Sequence, residues 1–149
     1  MDASQREFIL HVLQTANDLT LATVRPDGYP QATTVSYAHE DLTIYAGIGK
    51  DSQKARNIRQ NNRVSLTVNL DYRGWNHIKG LSMGAVAEIL TDPQEIGRAG
   101  GFMMKRFPQI EEWVKTGNMK DFVVLKIKPQ VISLLDYEKG FGHTELVQV

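Results

Sequence analysis

The chain has 149 residues, 42% hydrophobic and 23% charged, which suits one globular domain with its own core. Lys plus Arg and Asp plus Glu both number 17; the resulting zero net charge argues against a broad nucleic-acid or anionic-membrane surface. There is no cysteine, which excludes disulfides and thiolate metal sites and leaves any redox chemistry to a cofactor. The N-terminus lacks a basic-then-apolar signal pattern, and no apolar run approaches the roughly 20 residues of a membrane helix. A soluble cytoplasmic protein is the expectation.

Ser4-Gln5-Arg6-Glu7 has the form of a capping box, with Ser4 as N-cap. Phe8, Ile9, Val12, Leu13 and Ala16 follow with helical spacing. From Leu19 the period is two, with Leu19, Leu21 and Thr23 on one face. Pro26-Asp27-Gly28 is a turn. Gln31 to Ala38 reads as a second strand, and His39-Glu40-Asp41 turns it into a third, Leu42 to Ala46. These three are expected to form an antiparallel meander.

The third strand ends at small residues and runs into a helix whose first turn carries Ser52, Gln53 and Lys54. A helix start exposes unpaired N–H groups and the positive end of its dipole, so it suits an anion. The lysine and the polar donors make a phosphate the natural guest, with Arg56 the nearest further cation. The competing reading is an N-capped, solvated helix with no ligand. A phosphate site at a strand edge in a small β-rich chain suggests flavin mononucleotide (FMN).

Arg63 to Leu70 alternates cleanly. Asp71 to His77 is a polar and aromatic loop, in which Trp75 either covers a barrel end or stacks on a ring. Ile78 to Leu90 is a long strand in which Gly80 and Gly84 mark bulges or close approaches. Asp92-Pro93 opens an amphipathic helix, Pro108 breaks it, and a second helical piece holds Ile110, Trp113 and Val114. Met103 and Met104 are read as core. Phe122 to Ile127 and Val131 to Leu135 are the last strands, separated by Pro129. The tail, Tyr137 to His143, is glycine-rich and aromatic. This is a mainly β chain with peripheral helices, and six or seven short antiparallel strands imply a closed or split barrel. So small a barrel leaves little interior room, so a ligand belongs outside it or at a subunit interface.

Four pieces in order, Leu21-Ala22-Thr23-Val24 with Asp27-Gly28-Tyr29-Pro30, Thr33-Thr34-Val35-Ser36-Tyr37, Ile44-Tyr45-Ala46 leading to Ser52-Gln53-Lys54-Ala55-Arg56-Asn57-Ile58, and Asn62-Arg63-Val64-Ser65-Leu66, carry a family resemblance. The chain resembles the pyridoxamine 5′-phosphate oxidase-like proteins, the FMN-binding split barrels. The resemblance implies a homodimer with two FMN sites at its interface. It implies that Thr33, Thr34, Val35, Ser36 and Tyr37 flank the flavin ring and that Tyr45 and Ala46 lie near the ring or ribityl chain. Ser52, Gln53 and Lys54 would hold the phosphate, and Lys79 and Gly80 would approach the cofactor. Gln53 stands where the family usually has arginine, which removes a charge and a bidentate fork. Ala38 replaces a lysine of the true oxidases, and Gly140-Phe141-Gly142-His143 lacks their arginine–histidine motif. The resemblance therefore implies the cofactor and not vitamin B6 as substrate. Phe141 and His143 are placed beside the flavin site, that of the same chain or of the partner subunit; the alternative is an exposed tail.

Three functions follow. The first is an FMN-dependent oxidoreductase acting on a small molecule, with NADH or NADPH as a candidate electron donor. The second is a flavin carrier or sensor without turnover. The third is a split barrel holding deazaflavin or heme.

Overall fold

The computed structural model describes residues 1–149. Helix α1 (Ala3–Thr15) is capped by Asp2, whose carboxylate accepts the Gln5 N–H at 2.8 Å while the Gln5 side chain accepts the Asp2 N–H at 2.9 Å. The capping box thus sits two residues earlier than Ser4, because Asp2 and Gln5 meet the same reciprocal geometry. Ile9, Val12 and Leu13 are buried.

Eight antiparallel strands follow: β1 (Asp18–Val24), β2 (Pro30–Ser36), β3 (Ala38–Glu40), β4 (Thr43–Gly49), β5 (Arg63–Asn69), β6 (Lys79–Ile89), β7 (Phe122–Asp136) and β8 (Thr144–Gln148). Helix α2 (Gln53–Gln60) joins β4 to β5; α3 (Pro93–Arg106) and α4 (Ile110–Lys115) lie between β6 and β7. The sheet order is β2-β1-β5-β6-β7-β4-β3, with β8 on the other half of β7. Since β3 simply continues β2 past Tyr37, the two ends of this order belong to one stretch of chain. The sheet curls into a barrel that is zipped between β3 and β4 and open between β2 and β4. It is a split barrel, and it surrounds one apolar core.

Alternation placed β1 and β5 correctly: Leu19, Leu21, Thr23, Val64, Leu66 and Val68 are all buried. The expected meander is modified. β2 pairs only with β1, and the third strand is reached through the short β3. The last strands are one, not two. Pro129 lies inside β7 at a bulge, where Gly84 pairs with Val131 and Ala85 with Pro129. Proline's missing N–H falls where the ladder is already broken, so the strand runs through. Gly80 is a close approach: a Cβ there would lie 2.6 Å from Asn69 Oδ1. The tail is also ordered. Gly140 and Gly142, with φ of 135° and 80°, turn the chain back so that β8 pairs with β7.

Tyr37 sits at the bend between β2 and β3 and is fully buried. Its hydroxyl donates to the carbonyls of Leu13 (2.7 Å) and Ala16 (3.1 Å), and the Arg106 guanidinium lies 4.6 Å from its ring centre. Burial pushes its pKa up from 10.0 to about 12, partly offset by Arg106. A raised folded-state value means that this stabilisation is complete below the unfolded value and lost as pH rises through the folded one. We expect roughly 3 kcal/mol of alkaline destabilisation from this group between about pH 10 and pH 12. Urea unfolding of Tyr37→Phe across that range checks this: the variant starts less stable by about 1 kcal/mol but lacks this part of the alkaline decline.

Candidate functional site

The site lies where the barrel is unzipped. β3 pairs with β4 in a register that sets Ala38 against Tyr45. Continued along β2, that register would set Ser36 against Gly47 and Thr34 against Gly49. No such ladder forms. β2 is paired only on its β1 side, and β4 at Gly47–Gly49 only on its β7 side. Half of the backbone N–H and C=O groups of these facing edges therefore point into the gap, a row of donors and acceptors awaiting a partner.

A cleft of about 400 Å³ occupies this place, within the size range of a small-molecule site. Its floor holds Thr34, Val35 and Ser36 from β2 and Gly47, Ile48 and Gly49 from β4. On the outer face of β4, Tyr45 fills the space beneath α3 and stacks on Phe102, with ring centres 6.0 Å apart. The next outward residues, Gly47 and Gly49, have no side chain, and a Cβ at Gly47 would meet no atom within 4 Å. Two glycines in alternation open the hollow. Its roof is apolar apart from Gln109: Met103, Phe107, Ile110, Trp113, Met119 and Phe122. Three contacts anchor α3 over the barrel: Arg98 with Glu40, Glu95 with Lys126, and Arg106 with the Leu13 carbonyl.

Lys54, in the first turn of α2, is the one charged side chain lining the cleft. Its neighbours are committed elsewhere. Ser52 caps the helix, accepting the Ala55 N–H at 3.2 Å and donating to the Gly49 carbonyl at 2.7 Å. Gln53 donates to Asn57 Oδ1 at 2.8 Å and accepts from Arg56 at 2.8 Å. Asn57, fully buried, donates on to Thr23 Oγ1 at 2.9 Å. This chain of bonds locks α2 onto β1. Arg56 reaches the Asp51 carbonyl at 3.0 Å and does not line the cleft. The helix start thus offers an anion Lys54 and the backbone N–H groups of Gln53 and Lys54, since that of Ala55 is already taken by the Ser52 cap.

The predicted residues divide accordingly. Thr34, Val35, Ser36 and Lys54 come together at the cleft, with Ser52 and Gln53 just behind it. Thr33 pairs with Leu21 and faces inward, where its hydroxyl is buried without a partner. Tyr37 and Ala46 belong to the core, and Tyr45 is shielded by α3. Lys79 and Gly80 lie on β6, away from the cleft of the same chain; Lys79 pairs with Glu138 at 3.1 Å. Phe141 is 69% exposed and packs near Trp75 and Tyr137, while His143 Nε2 lies 3.4 Å from a Glu145 oxygen. Trp75 is 69% exposed and does not line the cleft.

The structure corrects the reading of the methionines: Met103 lines the cleft, and Met104 is exposed. Gly47, Gly49 and the roof were missed. The glycine alternation after Tyr45 was a signal. The roof had none, because a helical stripe of Met, Phe and Ile looks the same over a core as over a cleft.

Residues 5–136 match the family described as pyridoxamine 5′-phosphate oxidase. General stress protein 26 of Bacillus subtilis is 26% identical over 132 residues, 88% of each chain. A conserved hypothetical protein of Mycobacterium tuberculosis superposes with a TM-score of 0.79 at 28% identity, over 97% of this chain and 91% of its own. A heme binding protein from Mycobacterium smegmatis has the same fold, with a TM-score of 0.83 at 18% identity; the match covers 99% of this chain and 59% of that one. No helix here is long and apolar enough to cross a membrane. With an unzipped barrel, a cleft at the gap and a family match over most of its length, the chain belongs to the pyridoxamine 5′-phosphate oxidase family.

Proposed function

We propose that the cleft holds FMN and that the protein is an FMN-dependent oxidoreductase of this family. One observation carries the reading: two unpaired strand edges face a glycine-floored gap that ends at a helix start bearing Lys54. The pyrimidine edge of a flavin alternates donors and acceptors and suits the free edge of β2. The phosphate suits Lys54 and the first turn of α2. Bound flavin would supply the electron chemistry. The residues supply position and a dry wall, and the lining carries no carboxylate or imidazole to act as acid or base. The test is to denature the purified protein, or the protein after incubation with FMN, and identify what is released. Reduction of the bound flavin by NADH or NADPH then separates an enzyme from a passive carrier.

Heme is the second reading. Met103 and Met119 place two thioethers in the apolar roof, and the Mycobacterium smegmatis heme binding protein shares the fold. None of the four histidines lines the cleft, and the macrocycle of a porphyrin, with its hydrocarbon edge, leaves most of the strand-edge groups unpaired. Its absorption spectrum separates it from flavin.

A second copy of the chain is part of the proposal. The outer face of the sheet carries the cross-strand row Thr34–Thr20–Thr67–Ser82–Ser133–Leu146, and beside it Ala32–Ala22–Ser65–Gly84–Val131–Gln148. Neither row contains a charge. A sheet face exposed to water ordinarily carries polar and charged side chains. Small uncharged residues, with Leu146 71% exposed, suit a two-fold partner that continues past β2 to the rim of the cleft. Light scattering at micromolar concentration is expected to give twice the chain mass; a monomer with FMN bound would sink this part of the proposal.

A further inference from the structure

We propose that the roof of the cleft selects its second ligand from flat, uncharged, apolar ring compounds, and that Trp113 is the residue that holds them. The inference rests on the flavin reading, which assigns Lys54 to the cofactor's phosphate. With Lys54 engaged, no charged side chain of the lining remains for a second anion. The other cations of these elements do not line the cleft: Lys105, Lys115 and Lys120 are absent from its wall, and three more are engaged. Arg98 pairs with Glu40, Lys126 with Glu95, and Arg106 reaches the Leu13 carbonyl and the Tyr37 ring. A phosphorylated or carboxylated substrate would enter this end of the cleft with its charge unmatched, which costs affinity.

The roof offers apolar surface instead, and more of it than the cleft encloses. Trp113 is 52% exposed and Phe122 39% exposed, with ring centres 6.3 Å apart and planes at 69°. Together they form a shelf at the mouth. Glu111, Glu112 and Lys115 share the short α4 helix with it, and the part of Trp113 that does not pack on Phe122 is left open to water at the mouth. Large aromatic residues exposed beside a cleft gain most when a ligand ring covers them. Met103 and Met119 further in are unbranched and polarizable, so the wall adapts to more than one ring shape. A charged substrate such as a pyridoxamine phosphate has no counterpart in this surface, whereas a neutral quinone or similar ring does.

The test uses the full-length protein at saturating FMN, with flavin content read from its absorbance. Menadione, a neutral naphthoquinone, is the probe, and pyridoxamine 5′-phosphate is the charged competitor. The absence of cysteine removes the thiol adducts that would otherwise confuse quinone binding. Calorimetry is expected to show menadione binding at least tenfold more tightly than the phosphate. Trp113→Ala should weaken menadione about tenfold or more, and Trp113→Phe should restore most of the loss. Flavin bound without menadione binding, tighter binding of the phosphate, or an unchanged menadione affinity in Trp113→Ala each overturns the inference alone. Failure to take up FMN overturns the flavin reading and this inference with it.

Discussion

Gly47→Leu is expected to weaken FMN binding by roughly a hundredfold or more while leaving the barrel folded. The position is outward-facing on β4, and a Cβ built there meets nothing within 4 Å, so the side chain enters open space rather than the core. Leucine is also the better strand former, so the thermal midpoint should stay level or rise slightly. That open space is the cleft itself. A branched side chain standing between Thr34 and Ser36 on one edge and Met103 and Phe107 above forces any bound ring to clash or withdraw. Overpacking of this kind costs about 1–3 kcal/mol at a single contact. Losing contact along the strand edge adds to it, so a loss of roughly a hundredfold or more in affinity is expected. Titration of FMN with circular dichroism as the fold control checks both halves. Normal FMN affinity in a folded Gly47→Leu protein would place the ligand elsewhere.

That the decisive position is a glycine explains why it was hard to see in the chain. Patterning reports what is buried: the alternation of Leu19, Leu21 and Thr23, and of Val64, Leu66 and Val68, gave the barrel walls directly. A cleft is made by what is missing from a pattern. Gly47 and Gly49 interrupt the outer face of a strand whose inner face, Ile44, Ala46 and Ile48, continues without a break. Read alone, Gly-Ile-Gly is too short to be a nucleotide fingerprint. It acquires meaning only once β2 is known to fail to pair across from it.

The same distinction separates the two halves of the phosphate motif. The capped start of α2 was legible because Ser52 and the helical spacing after it are local. Which of its side chains face outward was not. The Gln53 carboxamide is drawn back by Asn57, and Asn57 is held by Thr23, which is 34 residues away in sequence. Tyr45 lies off the cleft for a similar reason: the helix that covers it begins nearly fifty residues later, and no local signal announces it, while Ala46 simply faces the barrel core. β8 was missed because only Val147 of its five residues is buried, and pairing with β7 rather than hydrophobic pattern makes it a strand.

Lys54→Ala should weaken FMN by roughly ten- to a hundredfold and leave riboflavin nearly unchanged. The lysine is the one charged side chain of the cleft and sits in the first turn of α2, where helix dipole and side chain act on the same guest. A charge-assisted contact is worth about 1.5–3 kcal/mol, which sets the range. Gln53 and Arg56 cannot take over, since their polar groups already bond to one another, to Asn57 and to the Asp51 carbonyl. Alanine is the best helix former, so α2 and its capping by Ser52 should persist and stability should not fall. Riboflavin lacks the phosphate but shares the ring and ribityl chain, so it isolates the charge. Calorimetric titration of both ligands against both proteins gives the comparison. Equal weakening of FMN and riboflavin would mean that Lys54 packs against the ring rather than facing a phosphate, and the start of α2 would then be only a capped helix.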